Sequence, residues 1–153
     1  MAFAVVIHLL SVVVWVGGMF FAWMVLRPAA AVQLEGPDRL RLWNAVFRRF
    51  FVWVWLAIAL ILLSGYWIIF AVFGGMAGVG LYVHVMQGIG LLMMLIFAHL
   101  YFAPYARLRK KVAAGDFPSA ANELATIRRI VGINLLLGLL TVIIAAAGRY
   151  LLV

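Results

Sequence analysis

His8 and His84 each stand 20 residues before a proline, Pro28 and Pro104, near the start of an otherwise apolar stretch. An ionisable ring in hydrocarbon is costly and tends to face a bundle interior, a partner or a ligand. Two imidazoles at matched depth can hold one ligand between them, because neutral imidazole binds both haem iron and copper. The third histidine, His99, lies deeper in its stretch. Its expected neighbour is Asn134, at a similar depth in the last apolar stretch, and a hydrogen-bonded His99–Asn134 pair would satisfy both. The sequence has no cysteine, which removes disulfides, thiolate metal sites and iron–sulfur clusters. Its four acidic residues, Glu35, Asp38, Asp116 and Glu123, all fall between the apolar stretches, so no carboxylate relay or acid–base pair is expected within them.

The elements that must position these groups are helices in lipid. Of the 153 residues 69% are hydrophobic and 10% charged, a balance that cannot give a soluble domain a polar skin. Four stretches, about 3–26, 50–73, 81–103 and 130–153, each reach the roughly 20 residues that a helix needs to cross about 30 Å of hydrocarbon. The first reads as a span rather than a cleaved leader, having no basic segment before it and too long an apolar run. Eleven of the twelve basic residues lie in the linkers after the first and third spans, whereas the loop 74–80 has no charge. The positive-inside rule therefore predicts cytoplasmic linkers and two outward-facing, periplasmic termini. On this view the net charge of +8 is a topology signal, and no nucleic-acid partner is expected.

The fold expected is all-α: one transmembrane domain, 1–153, forming an up-down-up-down four-helix bundle. Within the linkers, 40–50 and 118–129 place apolar residues at three- and four-residue spacings among arginines and read as interfacial amphipathic helices lying on anionic lipid. Pro28 and Pro104 are 76 residues apart, as are His8 and His84, and Arg48-Arg49 precedes Arg128-Arg129 by 80. This spacing suggests two parallel helical-hairpin repeats.

Helical phase, at about 100° per residue, puts Trp15, Gly18 and Met19 on the His8 face and Gly88, Leu91 and His99 on the His84 face. Met86 and Met93 then fall on the opposite side of span 3. Diagonal spans would leave a gap that suits a porphyrin edge-on between His8 and His84, with Gly18 and Gly88 relieving crowding and Trp15 lining the same cavity. Arg149 could pair with a propionate or snorkel to the interface. Span 4 carries a small or weakly polar stripe of Asn134, Gly138, Thr141, Ala145 and Gly148, suited to close helix packing or to making room for a bound group. The rival ligand is copper, held in an outer site by His8 and His84 with Met1 and Met76, since Cu(I) accepts thioether donors.

The run from His8 through Trp15-Val-Gly17-Gly18-Met19 to Arg27-Pro28 resembles the opening helix of the copper-resistance protein D family, in which a helix-borne histidine precedes Trp-x-Gly-Gly. Ser64-Gly65 in the second span and Arg128-Arg129 before the last are similar to the same family. This resemblance implies copper uptake or resistance in the bacterial inner membrane. A second resemblance, through His8 and Trp15, is to the four-helix bacterial protoporphyrinogen oxidases and implies haem; the lysine that family carries near the start of its third helix is absent, and His84 stands nearby. The leading expectation is a haem b protein with a redox or electron-transfer role and His8 and His84 on the iron. Its alternatives are copper handling, with a copper ion at the same histidines, and a non-catalytic accessory subunit. The lipid bilayer, a quinone or other redox partner, and a second copy of the chain are the partners consistent with these functions.

Overall fold

The computed structural model describes residues 1–151, and their side chains apart from those of Arg149 and Leu151. Four long helices account for nearly all of them: α1 (Ala2–Gln33), α2 (Gly36–Ala71), α3 (Leu81–Ala113) and α4 (Phe117–Leu151). All four are long and apolar enough to cross a membrane. No strand occurs among the described residues. Pairs α1–α2 and α3–α4 form hairpins, α4 also packs on α1, and aromatic rings join α2 to α3, which gives the up-down-up-down bundle expected from the spans.

The helices run well past the apolar stretches. Neither proline ends its helix: each lies at a widened turn, Ala22–Leu26 just before Pro28 and Tyr101–Tyr105 around Pro104. Proline lacks an N–H and its ring collides with the carbonyl four residues back, so a locally widened turn lets the helix continue. In α1 the Arg27 N–H reaches back five residues to the Ala22 carbonyl. The connections that follow are short. Residues 34–35 join α1 to α2, and 114–116 join α3 to α4, with Gly115 at φ +73° and the Asp116 N–H bonded to the Lys111 carbonyl. That is a helix stop in which the left-handed position favours glycine. Asp116 then accepts from the Ser119 N–H and caps α4.

The segments 40–50 and 118–129 are not separate helices lying on lipid. They are the first turns of α2 and α4, and their apolar faces pack into the bundle: Leu40, Trp43 and Phe47 are buried, as are Leu124 and Ile127. Packing these faces against α3, where Leu108 is fully covered, removes their apolar surface from water. The basic end of the bundle is consequently its tightest part. Above it runs an aromatic ladder in which Phe47 stacks on Phe51 at 5.1 Å, Tyr105 meets Phe51 edge-on at 4.9 Å, and Phe97 meets both Phe51 and Trp55 at 5.2 Å. Toward the uncharged end packing thins, and a cavity opens between the helices.

Candidate functional site

The cavity measures about 300 Å³ and is lined from all four helices. His8, Val12 and Trp15 come from α1; Ile61, Gly65 and Tyr66 from α2; Met86, Gln87, Gly90, Met93 and Met94 from α3; Gly138 and Thr141 from α4. Its walls are apolar apart from a few groups, and Gln87 donates to the Tyr66 hydroxyl at 2.8 Å, bridging α2 and α3.

His8 is held against α2 by consecutive small residues. Its Nδ1 lies 3.1 Å from the Ser64 Oγ, and a Cβ on Gly65 would stand only 3.2 Å from its Cε1, so glycine is what lets the ring approach the helix this closely. The Ser64 hydroxyl proton is committed to the Leu60 carbonyl, which can only accept. Ser64 Oγ then accepts from a His8 ring protonated on Nδ1, a tautomer that puts the lone pair on Nε2; the ring also bonds to the Ile61 backbone. A neutral imidazole anchored through one nitrogen can offer the other to a metal. Sequence patterning singled out His8 but not Ser64 or Gly65 as its support.

His84 does not join it. Both His84 and Gly88 are exposed on the outside of α3, and nothing lies within 4 Å of the Gly88 position. The expected face of α3 is therefore the wrong one: Met86 and Met93, predicted outside, line the cavity with His8. His84 occupies the first turn of α3, next to the uncharged loop 74–80, where an imidazole can face outward at little cost. The bis-imidazole slot for haem b is accordingly not formed, and neither is an outer copper site made from His8 with His84.

Trp15 lines the cavity as expected, buried and edge-on to Phe97 at 6.2 Å. Gly18 has another role. A Cβ there would fall 2.3 Å from the Phe50 ring, so this glycine admits an aromatic side chain of α2 rather than clearing a macrocycle. His99 is exposed and makes no pair with Asn134. Asn134 is buried, donates to the Met93 carbonyl at 3.3 Å, and leaves its Oδ1 without a partner. The small stripe on α4 divides its functions: Gly138 admits Val16 and Met93, Gly148 admits Tyr82, and Thr141 and Ala145 face the cavity. The Arg149 side chain lies outside the described residues.

Among the described residues no group of three or more histidine or acidic side chains is placed to hold a metal. The soft donors that line the cavity are His8 and the thioethers of Met86, Met93 and Met94. The chain matches the copper resistance protein D family over residues 44–147. It belongs to that family. With four apolar helices, this member is a multi-pass membrane protein. The matched stretch covers most of α2, all of α3 and most of α4, so the His8 helix that carries the sequence resemblance lies outside it. No curated protein and no solved structure matches the chain.

Proposed function

We propose that the protein handles copper within the membrane, taking up Cu(I) in the cavity with His8 and the thioethers of Met86, Met93 and Met94 as donors. The observation that carries this reading is the face of α3: it turns three methionines toward the cavity that His8 lines and turns His84 away. Soft Cu(I) prefers sulfur and accepts imidazole, whereas hard divalent ions seek carboxylates, and none among the described residues lines this cavity. A singly charged ion also suits an apolar enclosure better than a divalent one, since burying charge is costly. Family membership supports the same chemistry.

The test is Cu(I) binding by protein purified in mild detergent, measured by competition with a chromophoric chelator. His8→Ala and the double substitution Met86→Leu/Met94→Leu should each weaken binding by at least about tenfold, a typical loss for a disrupted metal site. His84→Ala and His99→Ala should bind like the parent. A pigmented protein whose b-type haem spectrum disappears in His8→Ala would overturn the copper reading in favour of haem. Equal affinity in all four variants would also overturn it and leave an accessory role.

A further inference from the structure

At the basic end, away from the copper cavity, three arginines from three helices gather without an acidic partner. Arg27 of α1, Arg39 of α2 and Arg128 of α4 are each only half-exposed, unlike Arg48, Arg49, Arg109 and Arg129, which stand in the open. Arg27 and Arg128 line one groove between α1, α2 and α4, and the charges of Arg27 and Arg39 both act on Arg128. None forms an ion pair among the described residues: Asp38 is taken by Arg41, and Glu123 by Arg107 and Lys111. Three partly desolvated like charges repel one another, so an anion at their centre would relieve a standing penalty.

The surroundings indicate what kind of anion. Arg27 lies over the Trp23 ring at 4.5 Å, and Arg27 and Arg128 together head a small apolar groove whose floor is Trp23, Trp43, Phe47 and Val131. The cleft is small, about 20 Å³, and its charged rim sets the guanidinium groups at the boundary of the apolar spans. A guanidinium cluster binds phosphate through charge-assisted, forked hydrogen bonds, and basic pockets between helices on the arginine-rich side of a membrane accept anionic headgroups.

We propose that Arg27, Arg39 and Arg128 form a binding site for the phosphate headgroup of an anionic phospholipid. The site is independent of copper. Native mass spectrometry of protein equilibrated with equal phosphatidylglycerol and phosphatidylcholine tests it. The parent should retain phosphatidylglycerol preferentially, and Arg27→Gln/Arg39→Gln/Arg128→Gln should lose that preference, at on the order of fivefold for each arginine removed. The control Arg48→Gln/Arg49→Gln/Arg129→Gln removes the same charge from exposed positions and should keep it. Arg39→Gln alone, the mildest change, should show a partial loss even if the triple variant folds poorly. Equal losses in the two triple variants would overturn the site in favour of diffuse attraction, as would no preference in the parent. Displacement of the lipid by millimolar inorganic phosphate would show an anion site without lipid recognition, and would equally overturn it.

Discussion

At His8 the chemistry is decided by neighbours that need not touch a ligand. Ser64 fixes the proton on Nδ1, and Gly65 lets the ring rest against α2. If Nε2 binds copper, Ser64 is a positioning residue and its loss should register in affinity rather than in folding. Ser64→Ala removes the acceptor, frees the ring to turn and change tautomer, and should weaken Cu(I) binding by about 10- to 100-fold, the usual effect of removing a support behind a metal ligand. Ser64→Thr keeps the hydroxyl and should restore most of the affinity. Nitrogen-15 NMR of the imidazole would show Nδ1–H in the parent and a mixture of tautomers in Ser64→Ala. Unchanged tautomer and affinity in Ser64→Ala would reduce the serine to a packing role.

At the level of single helices, the basic end is stabilised by a charge arrangement that pH can address. Glu123, nearly buried on α4, accepts from Arg107 Nε at 2.9 Å and Lys111 Nζ at 2.8 Å, tying α3 to α4. The hydrogen bond from Arg107 chiefly holds its carboxyl below the usual range; burial opposes this and Lys111 assists. Asp116 is also lowered, by its bonds to Ser119 at the start of α4. A carboxyl depressed in the folded state adds stability above its unfolded pKa of about 4 and loses it as pH falls through the folded value. The melting temperature in detergent should therefore be level above about pH 5 and decline below about pH 4. Glu123→Gln should lower the plateau and flatten the decline. An unaltered acid limb in that variant would mean that the pair contributes nothing to the hairpin.

The same scale shows what could be read from the sequence. Span number, helix-forming linkers and hairpin order were legible, because apolar length and the placement of arginines leave few alternatives. The rotation of α3 was not, because a helix that is apolar all round has no polar side to mark its outer face. His84 does not mark the interior, because in the first turn of α3, next to the uncharged loop, it is free to face out. A better marker lay farther along the chain. Leu108 stands alone between Arg107 and Arg109 where the helix leaves the apolar stretch, so it must face inward, and the aromatic residues Tyr105, Tyr101 and Phe97 lead back from it. Counting from Phe97 at about 100° per residue puts Met93, Gly90 and Met86 within about 40° of that face, and His84 and Gly88 roughly 140° to 180° away. The His99–Asn134 pair failed for the same reason. Gly18 differed: spacing shows a glycine's face, but not that a particular ring, Phe50, fills the space beside it.

Across the whole molecule, packing and charge run in opposite senses to the cavity. The basic end is tight, with Leu108, Ala120 and Ile127 fully covered, and the cavity lies toward the uncharged loop that joins α2 to α3. Which compartment supplies the cavity thus depends on orientation. The arginine-rich connections should be cytoplasmic, because eleven of twelve basic residues lie on that side and short basic loops resist translocation. A cysteine-free sequence permits a clean measurement. Ala77→Cys places a thiol on the exposed uncharged loop, and Ala114→Cys places one on the exposed turn between α3 and α4. In intact cells a membrane-impermeant maleimide should label Ala77→Cys, and should label Ala114→Cys only after permeabilisation. Copper would then be taken from the outer side, and the arginine triad would face the inner leaflet. The reverse labelling pattern would invert the molecule, place the copper cavity in the cytoplasmic half, and turn its proposed role from uptake toward export or intracellular handling.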